Sequence, residues 1–251
     1  PIYQSQFIDE LDGDLFFENI TKITKRGSNR VLIIRFNSPV KFIPYHYSVI
    51  NAATKPMTID QWSEKIDAPI IFNAGQFDEK LRHLGWLKSK GDWLESHKNH
   101  KWQGLLLSDP VSKHWWARIL DIKYVEPTIV KEYQNVIQSM MLLDAKGDIR
   151  VRKSDLSANR TVLAEDKSGR ILLFVTQGAV TLYDFASWLK TSDLDIIRAM
   201  NFDGGIESQL TIHTNDLDYS FYGTYSNGVK MIDPTPGMVK YPIPSVIAVM
   251  P

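Results

Sequence analysis

Ile196-Ile197-Arg198-Ala199-Met200-Asn201-Phe202-Asp203-Gly204-Gly205 decides how this chain is read. A short, mostly apolar run bounded by turn residues is the signature of a strand buried on both faces. The run stops at a carboxylate followed by two glycines. A glycine pair lets the backbone turn sharply and lets another group come close to its N–H groups. Asp203 is thereby placed at the mouth of a sheet. A second run, Pro69-Ile70-Ile71-Phe72, stops in the same manner at Asn73-Ala74-Gly75.

Working outward, Val31 to Phe36 is a strand candidate ended by Asn37-Ser38-Pro39. Thr58 with Gln61 three residues on has the form of a capping box and predicts a helix running to about Ile66. The stretch from Lys80 to Asp121, rich in Trp, His and Lys and punctuated by Gly85, Gly91 and Gly104, predicts short strands and hairpins. Val136 to Leu143 reads as a strand leading into the turn Asp144 to Asp148. Thr161 to Glu165 and Arg170 to Val175 flank Asp166-Lys167-Ser168-Gly169 and predict a hairpin. Thr181 opens a helix whose Leu182, Phe185, Ala186 and Leu189 follow helical spacing. The tail carries turn residues with Pro234, Pro236, Pro242 and Pro244, and Val246 to Val249 is a last short strand. No repeat and no linker interrupts this order. The expectation is an α+β fold: one domain over residues 1–251, of mixed, largely antiparallel β-sheets with a few packed helices.

Composition removes several classes of function. Lys plus Arg and Asp plus Glu are both 29, so the formal net charge is zero. Nucleic-acid binding, which needs a basic surplus or stripe, is not expected. The densest basic stretch, Lys22 to Arg30, is broken by Gly27 and Ser28 and reads as a solvated turn. No run reaches the roughly 18 apolar residues of a membrane span. Without cysteine there are no disulfides, thiolate nucleophiles or cysteine zinc sites. His97 and His100 have no third ligand nearby in sequence, and neither Asp12-Gly13-Asp14 nor Gly147-Asp148 completes a calcium loop. No metal and no cofactor is expected.

Two residues carry the chemistry. Asp203 can act as base, nucleophile or hydroxyl acceptor, or it can merely cap its own backbone in an Asx turn. Arg160, in Asn159-Arg160-Thr161 before a strand, is a candidate for bidentate phosphate recognition, although a lone Arg is more often a surface ion pair. Glu207, four residues past Asp203, is either a second carboxylate or an exposed rim charge.

Taken in chain order, the pieces resemble the phosphodiester glycosidase family. The elements are Asn73-Ala74-Gly75-Gln76-Phe77, Gln138-Ser139, Asn159-Arg160-Thr161, Gly178 to Leu182, Asn201-Phe202-Asp203-Gly204-Gly205 and Pro242-Ile243-Pro244. The sequence departs from the family pattern at Glu207, where a small hydroxyl residue is usual, and at Met140-Met141, where glycine and proline are usual. The resemblance implies hydrolysis of a sugar-1-phosphodiester. In that reading Asp203 is the carboxylate at the anomeric centre and Arg160 neutralises charge on the leaving phosphate. The Gly204 and Gly205 N–H groups hold phosphate oxygens, and Asn73, Gly75, Glu207 and Ser208 contact the sugar. The expected partner is a carbohydrate or sugar-phosphate substrate, in polysaccharide or cell-envelope glycan metabolism. A start at Pro1 is what removal of an export signal would leave, which predicts a secreted or periplasmic protein. Two other classes compete. One is a non-catalytic polysaccharide-binding module with Trp86, Trp93 and Trp102 stacking on sugars. The other is a metal-assisted phosphodiesterase using Asp203, Glu207 and His213.

Overall fold

A computed structural model describes residues 5–50, 53–112, 117–227 and 239–251. Pro234 and Pro236, and positions 113–116 of the Trp-rich stretch, lie outside the described residues. The strands are β1 (Gln6–Ile8), β2 (Gly13–Asn19), β3 (Arg26–Phe36), β4 (Lys41–His46), β5 (Ile70–Asn73), β6 (Leu87–Ser89), β7 (Asp92–Glu95), β8 (Gly104–Pro110) and β9 (Arg118–Asp121). They continue with β10 (Tyr133–Leu143), β11 (Ser157–Ala158), β12 (Thr161–Asp166), β13 (Ile171–Thr181), β14 (Ile196–Asn201), β15 (Gln209–His213), β16 (Asp218–Tyr222) and β17 (Ser245–Met250). The helices are α1 (Ile59–Ser63) and α2 (Leu182–Thr191).

A large sheet runs β1-β2-β3-β13-β12-β14-β10-β6-β7, with β11 on β13, and with β8 joining β10 to β9. A smaller sheet runs β16-β15-β5-β17-β4. The fold is α+β and dominated by strands, and each pairing among the described strands is antiparallel.

Alternation along the strands explains the layering. Leu32 and Ile34 of β3, Leu173 and Val175 of β13, and Met200 of β14 face Ile70 and Phe72 of β5 and Ile247 and Val249 of β17 in one core between the sheets. The intervening residues Ile33, Leu172, Phe174 and Ala199 pack under Phe185, Ala186 and Leu189 of α2. Ile71, Val246 and Ala248 pack under Ile59 and Trp62 of α1. The order is therefore helix, small sheet, large sheet, helix. Central strands are buried on both faces, which is why they read as continuous apolar runs.

Two local expectations need correction. Lys25 and its neighbours do not form one solvated turn: the chain turns at Ile20–Thr24, and β3 begins at Arg26 because Gly27 pairs with Gly178 on β13. A Cβ on Gly178 would lie 2.1 Å from the Ser28 carbonyl oxygen, so only glycine allows that approach. Helix α1 has the predicted capping box at Thr58 and Gln61 but ends at Ser63, with a bonded turn continuing to Ile66. The last strand, β17, lies between β5 and β4.

Phe72 is fully buried between the sheets, edge-on to Phe202 at 5.9 Å. Phe72→Ala is expected to cost about 3–5 kcal/mol of stability, measured as a shift in the urea unfolding midpoint at unchanged slope.

Candidate active site

The ends of β5 and β14 come together through one side chain. Asn73 is buried, and its carboxamide uses all of its hydrogen-bonding capacity. Nδ2 donates to the Asp203 carbonyl at 2.8 Å and to the Ala74 carbonyl at 3.2 Å. Oδ1 accepts from Thr161 Oγ1 at 2.7 Å and from the Gln209 N–H at 3.0 Å. Thr161 has given its only proton to Asn73, so the 2.7 Å contact with Ser208 Oγ is donated by Ser208. Asn73 and Ser208 thus act as joints between strands, and the Asn73 carboxamide has no donor or acceptor left over. Gly75 is likewise structural: a Cβ there would meet His83 Cε1 at 2.6 Å.

The glycine pair is also committed. Gly204 N–H donates to Asp203 Oδ1 at 2.9 Å, and Gly205 N–H donates to the Asn159 carbonyl at 3.0 Å. Neither N–H is free for phosphate, which corrects that expectation. Gly205 has φ +76, and a Cβ on it would lie 2.5 Å from Ser226 Oγ. Gly205 is needed because segment 223–227 crosses over it, and Gly204 because a Cβ there would lie 2.7 Å from the Asn159 carbonyl oxygen. Asn159, whose side chain the sequence reading passed over, anchors that segment. Its Oδ1 accepts from the Thr224 and Tyr225 N–H groups at 2.7 and 2.8 Å, and its Nδ2 donates to the Thr176 carbonyl. The signal available was an asparagine directly before the arginine, as at the ends of the other two site strands.

Arg160 is buried without a carboxylate in contact among the described residues. Nε donates to the Val180 carbonyl at 3.1 Å, and Nη2 donates to the Leu156 carbonyl and to Asn227 Oδ1. Nη1 makes no hydrogen bond to described residues and lies 3.3 Å from where a Gly204 Cβ would be. Burial pulls the guanidinium down to about 10, with the Asp203 charge acting against it, so it remains a cation at neutral pH. Asp203 is half-buried. Burial first, and the neighbouring Glu207 carboxylate second, push its carboxyl up to about 8, opposed by the Gly204 N–H and by Arg160. Glu207, on the 3-10 turn Gly205–Glu207, is half-buried, and burial raises its carboxyl too. It is not the exposed rim charge of the blander reading.

Other candidates lie elsewhere. His213, which a metal-assisted site would need beside Asp203 and Glu207, is at the far end of β15 and pairs with Asp218 at 3.0 Å. Among the described residues no group of three or more His, Asp or Glu is arranged to hold a metal ion. Trp86 and Trp93 contact each other, with ring centroids 6.2 Å apart, on the β6–β7 hairpin. No helix of the described residues is long and apolar enough to cross a membrane.

Comparison with known proteins follows this geometry. Residues 68–250 match the sequence profile of the family described as phosphodiester glycosidase. The fold is similar to the catalytic domain of zebrafish N-acetylglucosamine-1-phosphodiester alpha-N-acetylglucosaminidase, auto-inhibited by its pro-peptide. That match has a TM-score of 0.66 and 17% identity, over 99% of this chain and 88% of that one. A hypothetical protein from Synechocystis is similar at TM-score 0.61 and 14% identity, over 94% of this chain and 61% of that one. A putative exported protein from Burkholderia pseudomallei K96243 is similar at 0.57 and 10%, over 92% and 76%. No curated protein matches by sequence.

Two outcomes are expected. Asn73→Ala leaves buried partners on three strands unsatisfied and should cost at least about 3 kcal/mol in urea unfolding; a stable variant with only a raised KM would restore Asn73 as a substrate ligand. Asp203 keeps a proton in the folded state up to about pH 8 that the unfolded chain loses near the ordinary 3.8. Stability should therefore fall as pH rises through that window. Asp203→Asn should remove that contribution, so the gap between variant and wild-type unfolding midpoints should widen from pH 4 to pH 8.

Proposed function

Because the chain belongs to the phosphodiester glycosidase family, we propose that it hydrolyses the bond between a sugar's anomeric carbon and a phosphodiester, in polysaccharide or cell-envelope glycan metabolism outside the cytoplasm. The observation that carries this reading is the pairing of Asp203 with Arg160. A half-buried carboxyl of raised proton affinity stands at a strand end beside a buried guanidinium whose Nη1 has no partner among the described residues.

That arrangement suits this bond. The departing phosphate is a weak base and needs little protonation. A cation that stabilises the charge developing on it does most of what an acid would do for a sugar alkoxide. Arg160 supplies that cation in a setting of low dielectric, held in place by bonds to neutral carbonyls. Asp203, whose proton affinity lies near the working pH, is the base that takes a proton from water as water attacks the anomeric carbon. Its deprotonated form is a stronger base than an ordinary carboxylate. Glu207 acts through Asp203 as a positioning residue: its negative charge raises the neighbour's affinity for a proton.

The test is release of free sugar from a panel of alkyl- and aryl-phospho-sugars, α-N-acetylglucosamine-1-phosphodiester among them. Asp203→Asn should lose on the order of 10²–10⁴ in rate, and Arg160→Ala on the order of 10², in proteins that stay folded. A chelator should have no effect. For the wild type, kcat/KM should rise with pH through about 8, and Glu207→Gln should move that limb to lower pH. A kcat/KM that falls over the same range would make Asp203 an acid instead. Binding without turnover across the panel would leave a polysaccharide-binding module.

A further inference from the structure

A second concavity, a cleft of about 710 Å³, lies on the other side of the Asn73–Gly75 strand end. Its lining includes Arg82, His83, Lys98, His100, Lys101 and Trp102. The wall carrying four of these, residues 97–102, is held by one buried glutamine. Gln138 Oε1 accepts from the Trp86 and Asn99 N–H groups at 3.0 Å, and Nε2 donates to the Asn99 and Trp102 carbonyls at 2.7 Å. A loop with no strand of its own is thereby fixed in a single shape.

Charge in the cleft is unbalanced. Arg82 is neutralised by Asp78 in a two-pronged pair, and Glu95 bonds the His97 ring and backbone N–H. Lys98 and Lys101 have no carboxylate partner among the described residues; Lys98 lies over the Trp86 ring at 5.3 Å. Two ammonium groups, an indole and a fixed loop form a surface for an anionic, ring-containing ligand.

His83 supplies an independent observation. It lines the cleft yet is buried, and its Nε2 lies 3.0 Å from the Gln138 carbonyl. A carbonyl only accepts, so Nε2 carries the proton and Nδ1 is a bare lone pair. That lone pair is buried and has no partner among the described residues. It turns toward the end of β5, 3.5 Å from where a Gly75 Cβ would lie, and not toward the open cleft. The same ring packs on Gly75, next to Ala74, whose carbonyl accepts the Asp203 N–H. His83 thus packs between the cleft and the end of β5, whose Ala74 bonds the Asp203 backbone.

We propose that this cleft binds a second, phosphate-bearing saccharide unit of the substrate, with Lys98 and Lys101 on the phosphate and Trp102 on the sugar face. The inference rests on the glycosidase reading for the word substrate. The cleft itself is tested without turnover.

The experiment measures binding of three probes by calorimetry: a phosphodiester-linked trisaccharide, the neutral trisaccharide of the same sugar, and the methyl phosphodiester of the single sugar. Wild type and Lys98→Gln/Lys101→Gln are compared, and hydrolysis of the methyl ester is followed alongside. The charged trisaccharide should bind the wild type most tightly, and the double variant should lose about tenfold or more of that affinity. Methyl-ester hydrolysis should be unchanged. Equal affinity for the charged and neutral trisaccharides, or no loss in the double variant, overturns the proposal. If the charged trisaccharide shows the expected loss while the methyl ester is not hydrolysed, the cleft stands and the glycosidase reading falls.

Discussion

Four hydrogen bonds to the Asn73 carboxamide hold the site together. Asn73 sits where the small sheet meets the large one, and its partners belong to Thr161 on β12, Gln209 on β15, the Asp203 carbonyl just past β14 and its own neighbour Ala74. Strand ends normally leave backbone groups to water. Here they are buried between layers, where an unpaired donor or acceptor is costly. One side chain with two donors and two lone pairs satisfies strand ends from both sheets at once. The position of Asp203 follows from it, because the backbone of Asp203 is tied to Asn73 and Ala74.

A second asparagine does the same work on the other flank. Asn159 bonds segment 223–227 through two N–H groups and β13 through a carbonyl, while its own carbonyl receives Gly205. Between these two braces the reactive groups are left under-compensated. Arg160 is bonded to neutral oxygens, and Asp203 faces another carboxylate and a guanidinium beyond ion-pair distance. Burying charges without direct partners weakens the fold locally. The braces on either side make that arrangement tolerable, and burial with the Glu207 charge leaves the Asp203 carboxyl with a raised proton affinity.

The layered core serves the same end. Both sheets present alternate apolar residues to one interior, and each outer face is closed by a helix. Rigid strands on both sides carry the site residues at their ends, so that the side chains are positioned by the scaffold and not by long loops.

Periodicity made the strands, the Thr58 and Thr181 helix starts and the Asp166–Gly169 hairpin legible, since each depends on neighbours within a few residues. The same local patterns singled out Asp203 and Arg160, but left an Asx turn and a surface ion pair open as their bland readings. Pairing decided the rest. Which strand lies beside which, and so the central place of β17 and the early start of β3 opposite Gly178, depends on contacts more than a hundred residues apart. So does the fate of each polar group at the site. Asn73, Ser208 and the Gly204 and Gly205 N–H groups look available to a ligand in one dimension. In three, Asn73 bonds Thr161, Gln209 and two carbonyls, Ser208 gives its proton to Thr161, the Gly204 N–H bonds Asp203 Oδ1 and the Gly205 N–H bonds the Asn159 carbonyl.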